Sequence, residues 1–171
     1  MDERRTRLLR WFVGLSLILG ALALLGGAVS LGNEAGAAAW VYGLVVLAAI
    51  AFVLLAVLER TTAWPWYIPA IVPVGLLMVG VVWAHFDPVG HLFLSGFAPF
   101  VAFLTGLAIL QRRPWAWPVA FASVTGFGPT ILLFAPLPDA AVYSALVLFL
   151  LDVACLLALA PSYFEPSSEI G

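Results

Sequence analysis

No lysine occurs among the 171 residues, so the amine required for a retinal Schiff base, a pyridoxal phosphate linkage or a lysine nucleophile is missing. Cys155 is the single cysteine, which excludes an intrachain disulfide, a CxxC redox pair and a cysteine zinc site. Charge of either sign is scarce: Asp, Glu, Lys and Arg make up 9% of the chain, against about 25% in a soluble domain. All 7 basic residues are arginines, and they meet 9 acids for a net charge of -2. That balance supplies no basic field for a nucleic-acid backbone, so nucleic acid is not an expected partner. Hydrophobic residues make up 64% of the chain, and such a chain is expected to have lipid as its main solvent.

A helix needs about 20 apolar residues to cross a hydrocarbon core, and in lipid its backbone must satisfy its own hydrogen bonds. Six runs meet that requirement, near 8–31, 37–58, 64–84, 89–110, 115–134 and 140–160. The breaks are Gly32-Asn33-Glu34, Glu59-Arg60-Thr61-Thr62, His85-Phe86-Asp87-Pro88, Gln111-Arg112-Arg113-Pro114 and Pro136-Leu137-Pro138-Asp139. Each combines charge, polar groups, glycine or proline, which end helices and allow turns. Connections this short make sequential helices antiparallel and adjacent. The expected fold class is all-α, a polytopic transmembrane bundle of six helices forming one domain over 1–171.

Arginines near helix ends are retained on the cytoplasmic side. Arg4, Arg5, Arg7 and Arg10 precede the first run, Arg60 lies in the second break, and Arg112 and Arg113 lie in the fourth. Six spans put all of them on one side, with both termini cytoplasmic in the cell membrane. The opposite side holds Glu34, Asp87 and Asp139. Tryptophan favours the interface between headgroups and hydrocarbon; Trp11, Trp64, Trp66, Trp115 and Trp117 fall at the arginine side, Trp40 and Trp83 at the other. A cleaved leader ending near Ala35-Gly36-Ala37 would leave five spans, but the run over 8–31 exceeds the 7–15 residues usual for a leader's apolar core. Trp64-Pro65-Trp66 and Trp115-Ala116-Trp117-Pro118 resemble each other as helix entrances, and interfacial placement accounts for both without an ancestral repeat.

Small residues are the expected contacts between helices in lipid. The first run offers Ser16 and Gly20, Ala23 and Gly27, and Gly26 and Ser30, each pair four apart. In the third, Pro65, Pro69 and Pro73 share a face; Pro65 falls near the helix start, where its missing donor costs little, while Pro69 and Pro73 predict a bent helix whose proline face meets protein or a polar cavity. Stripes of small residues mark the fourth run (Ser95, Ala98, Ala102, Thr105) and the fifth (Ala116, Val119, Ser123, Gly126, Thr130). Pro99 and Pro129 free the carbonyls of Ser95 and Thr125.

Asp152 stands near the centre of the sixth run, where an aspartate costs about 3 kcal/mol and faces the bundle interior or a polar path. The neutral acid is the expected form there, donating to a carbonyl or hydroxyl, with Ser95, Thr105, Ser123 and Thr125 as candidate neighbours and a ligand or ion path as the functional alternative. His85, Asp87 and His91 crowd the opposite end and are weak candidates for a metal, since their spacing matches no strong ligand motif. Both histidines sit at one surface, which does not suit a bis-histidine haem. No cofactor is identified. Cys155 lies too deep to form a reactive thiolate, and no hydroxyl has a serine–histidine–acid setting.

Three function classes are compatible with these residues. A non-catalytic accessory or helix-packing subunit of a membrane complex leads, because polar side chains are few and no catalytic set converges. Its partners would be membrane lipids and either a membrane protein or further copies of the chain. A small carrier or ligand-binding component would use Asp152 and the third to sixth helices. A redox or metal-dependent enzyme subunit would rest on His85, Asp87 and His91.

Overall fold

The computed structural model describes residues 3–35, 39–61, 65, 67–134 and 139–164; at 24, 26–35, 39–40, 60–61, 127–134 and 139–141 the backbone alone is described. Six long helices follow one another: α1 Glu3–Ala35, α2 Ala39–Thr61, α3 Ile68–Phe86, α4 Pro88–Leu110, α5 Ala116–Phe134 and α6 Asp139–Leu159. A single further turn, α7 Pro161–Phe164, completes the order. Among the described residues there is no strand. Five stretches, in α1, α2, α3, α4 and α6 with α7, are long and apolar enough to cross a membrane.

α4 is the hub. It packs against α1, α2, α3 and α5, while α6 fills the angle between α1 and α5. Among the described residues the order around α4 is therefore α2, α3, α5, α6, α1, with the weakest contact of the ring between α1 and α2. Short connections had predicted contact between every sequential pair. α1 departs from that expectation, because its closest packing is on α4 rather than on α2.

Two glycines explain the preference. A Cβ on Gly106 would lie 2.7 Å from the carbonyl oxygen of Gly14, and one on Gly14 would lie 2.7 Å from Cγ of Leu110. The backbones of α1 and α4 meet here, antiparallel, as small residues permit when lipid offers no hydrophobic drive between helices. Gly20, expected to be a packing position, faces open space: a Cβ there would meet nothing within 4 Å. Val13 and Leu17 on α1 and Val101, Ala108 and Ile109 on α4 are buried beside the crossing.

α1 is also longer than expected. It begins at Glu3, where Glu3 and Arg7 form an exposed pair at 3.5 Å, and continues through Gly32-Asn33-Glu34 to Ala35. Glycine and asparagine cost a helix only about 1 kcal/mol each and lack proline's steric veto, so they do not end it. Its 33 residues extend about 50 Å.

The turn between α3 and α4 is built by Asp87 and Pro88. Asp87 is extended (φ -144°, ψ 128°) and its Oδ1 accepts from the Val89 N–H at 2.9 Å, while Pro88 occupies a position whose donor would be idle. A side chain at Gly90 would collide with the backbone of Ala84, so the hairpin closes tightly. α3 starts later than the run over 64–84 suggested. Pro65 precedes it, Pro69 falls in the opening turn, and Pro73 alone is interior. Pro69 and Pro73 are both buried, as the expectation that their face meets protein required; the expected bend depends on Pro73.

Trp115 departs from the interfacial role expected of it. It is buried, with its ring edge-on to Phe52 of α2 at 5.5 Å. Trp117 donates from Nε1 to the Leu156 carbonyl at 2.7 Å and ties α5 to α6. Tyr163 of α7 donates to the Ile109 carbonyl at 3.2 Å, and Phe164 meets Trp117 edge-on at 5.1 Å, so the last turn straps the ends of α4 and α5. Glu59 of α2 pairs with Arg113 at 3.6 Å, an ion pair too long for a hydrogen bond. Trp64, Trp66, Gly36 to Ala38, Pro136 to Pro138 and the tail 165–171 lie outside the described residues, as do the side chains of Trp40, Arg60, Pro129 and Thr130.

Gly106→Ala should force α1 away from α4 and destabilise the protein by about 1–3 kcal/mol, whereas Gly20→Ala should leave stability unchanged or slightly raised. Thermal unfolding of the detergent-solubilised variants measures both, and equal effects would contradict the crossing described here.

Candidate functional site

Asp152 faces inward from α6. It is 7% exposed, and its Oδ2 accepts a hydrogen bond from Ser16 Oγ of α1 at 2.7 Å. This short O–H···O contact joins the first long helix to the last. The second carboxyl oxygen, Oδ1, is buried and has no partner among the described residues. One turn along α6, the Trp117 to Leu156 hydrogen bond fixes the height of α5 against α6.

The four expected neighbours divide into two pairs. Ser95 donates to the Leu92 carbonyl at 3.0 Å and Thr125 to the Phe121 carbonyl at 2.7 Å. Both hydroxyls are thus engaged by their own helices, a common fate of such groups inside apolar helices. Thr105 and Ser123 are buried, and their hydroxyls have no partner among the described residues. The antiparallel register set by Gly14 against Gly106 and by Trp117 against Leu156 puts Thr105, Ser123 and Asp152 within about two helical turns of one level.

Three buried polar atoms, Thr105 Oγ1, Ser123 Oγ and Asp152 Oδ1, are thus unsatisfied on three helices. Native interiors leave few such groups. Two hydroxyls that donate or accept and a carboxyl oxygen that accepts can hold water, a proton or a small cation-bearing group. Cys155, on the turn after Asp152, is a free thiol.

The expected small-residue faces of α4 and α5 are buried only in part: Ser95, Ala102 and Gly126 are half-buried, and a Cβ on Gly126 would meet nothing within 4 Å. Ala98 and Thr105 are buried on α4, as are Ala116, Val119 and Ser123 on α5. The permissive Thr125-Gly126-Phe127-Gly128-Pro129 stretch remains helical backbone within α5.

At the far end, His85 and His91 are exposed. His85 stacks edge-on with Phe86 at 5.3 Å, and Asp87 uses Oδ1 as the cap of α4. Among the described residues, no three His, Cys, Asp or Glu side chains converge where they could hold a metal.

Sequence reasoning missed Ser16 as the partner of Asp152. Its depth was readable, since it stands well inside the first apolar run; what chain order did not reveal was that α1 and α6 are neighbours. No protein-family model, curated protein or solved structure matches the chain.

Replacing either member of the pair breaks one hydrogen bond. Ser16→Ala and Asp152→Leu should each destabilise the protein, and together their effects should fall short of additive by about 0.5–2 kcal/mol. A double-mutant cycle by thermal or denaturant unfolding measures this coupling; strict additivity would show that the pair contributes nothing.

Proposed function

We propose that the chain is a non-catalytic integral membrane protein of six spans, with both termini in the cytoplasm, that serves as an accessory, helix-packing subunit of a membrane complex. The observation that carries this is the open seam of the ring. Between α1 and α2 runs a groove of about 690 Å³, floored by Gly96, Phe100 and Phe103 of α4 and walled by residues such as Leu22 and Val46. Its lining is almost wholly apolar, and small Gly96 deepens it. An additional helix from a membrane partner matches that shape, because close approach to small residues is what holds helices together in lipid.

The same reading gives Asp152 a structural role. Its hydrogen bond to Ser16 clasps α6 to α1, a use of polar groups suited to fixing helix order where apolar packing discriminates poorly. The six-span count agrees with Arg10, Arg112 and Arg113 lying at one end of the bundle, since Arg10 and Arg112 line one pocket and Arg113 reaches Glu59. The cytoplasmic placement of both termini rests on the arginine rule.

A photo-crosslinking residue at Leu22 or Val46 should capture one partner protein, or a second copy of the chain, in near-stoichiometric yield in native membranes. The same residue at Leu148, which is 49% exposed on α6, should label lipid mainly. Lipid labelling alone at all three positions would sink the subunit proposal.

A second reading, a small carrier or ligand-binding component, is favoured by the unsatisfied Thr105, Ser123 and Asp152 oxygens. On that reading Asp152→Asn abolishes ion- or pH-coupled uptake while expression stays intact. Unchanged coupling in reconstituted vesicles counts against it.

A further inference from the structure

A second polar feature lies at the arginine-bearing end, away from Asp152. A pocket of about 320 Å³ opens among the start of α1, the α4–α5 turn and α7, lined by Glu3, Thr6, Arg10, Arg112, Ser162 and Tyr163. Arg10 is only 7% exposed. Its sole hydrogen bond among the described residues runs from Nε to the Thr6 carbonyl at 3.5 Å, although a guanidinium carries five N–H donors. A buried cation so lightly engaged is costly without an anion.

Arg112 supplies the other cation in an unusual way. It adopts φ 59°, the left-handed region, at the position after the C-cap of α4. The Arg112 N–H donates to the Ile109 carbonyl at 3.1 Å and the Arg113 N–H to the Ala108 carbonyl at 2.9 Å, the double closure in which glycine is the usual occupant. A side chain here is strained. The turn also sends the two consecutive arginines to different partners, with Arg113 going to Glu59 and Arg112 to the pocket.

Among the described lining residues, Glu3 is the one acid. Ser162 donates to the Leu159 carbonyl at 2.7 Å and Tyr163 to the Ile109 carbonyl. Glu3 is 76% exposed and pairs with Arg7. Neither Arg10 nor Arg112 forms an ion pair among the described residues.

We propose that Arg10 and Arg112 form a binding site for a phosphate group. Guanidinium forks match phosphate oxygens and donate charge-assisted hydrogen bonds to them. The phosphate comes either from the headgroup of an anionic lipid, for which basic pockets between helix ends are suited, or from a free phosphate. The strain at residue 112 is retained because the side chain it aims is used.

Native mass spectrometry of the full chain in detergent, with phosphatidylglycerol against phosphatidylcholine, reads the lipid arm. Thermal unfolding with inorganic phosphate, using chloride at equal ionic strength as the control, reads the free-anion arm. Wild type should retain phosphatidylglycerol selectively or gain stability with phosphate. Arg112→Gly should weaken that binding about tenfold or more, while its unfolding temperature without ligand stays equal or rises, since glycine relieves the turn. Arg10→Gln should also lose binding, and Arg4→Gln should retain it. Selective lipid retention without a phosphate response assigns the site to headgroups, and the reverse assigns it to a free anion. Failure of both probes, or equal loss in Arg4→Gln, overturns the proposal.

Discussion

The contact on which the arrangement rests is the backbone approach of α1 to α4 at Gly14 and Gly106. With α1 seated on the hub helix, Ser16 is presented toward α6, where Asp152 receives it. One and a half turns earlier on the same helix, Arg10 is brought beneath the α4–α5 turn. Because α1 is committed to α4 and α6, it does not pack along α2, and the apolar seam results. The clasp, the arginine pocket and the seam are thus three consequences of one pair of missing side chains.

Much of this fold is legible in the sequence, because helix identity depends on local properties. Long apolar runs, Asp87 with Pro88, and the arginine-rich break all marked elements or turns that the structure contains. Legibility fails where the outcome depends on neighbours distant in the chain. Gly14 was not distinguishable from Gly20, since both are glycines in the same apolar run, yet only one faces another helix. The Gly32-Asn33-Glu34 break failed for a different reason, as two weak breakers and an acid do not stop a helix that lacks proline. Pro65 was readable as a residue of the helix start, but Pro69 and Pro73 looked alike by spacing, and the late start of α3 leaves only Pro73 inside the helix.

The polar residues show the same division. Asp152 stood out because a charge deep in an apolar run is expensive wherever the run goes. Its neighbours were less accessible to sequence reasoning. Ser95 and Thr125 are absorbed by carbonyls of their own helices, an outcome open to any serine or threonine, and the partner proved to be on the helix most distant in sequence. Arg10 and Arg112 were readable only as topology signals. Their convergence required the left-handed turn at Arg112, which the Gln-Arg-Arg-Pro sequence does not announce because that position ordinarily selects glycine.

Short turns can order helices along a chain, but they cannot by themselves make the first helix meet the last. In an apolar solvent, packing alone distinguishes poorly among faces of similar shape, so closure of the ring between α1 and α6 needs interactions that only one arrangement satisfies. A hydrogen bond from Ser16 to Asp152 meets that need, because an arrangement that turned Asp152 to lipid would leave its carboxyl in hydrocarbon with neither oxygen engaged. The strap of α7 acts at the end of the same helix, with Tyr163 reaching α4 and Phe164 covering Trp117. Both devices tie the C-terminal half to elements it does not follow in sequence. The seam between α1 and α2 has no such polar device among its lining residues, so apolar packing is all that its walls offer.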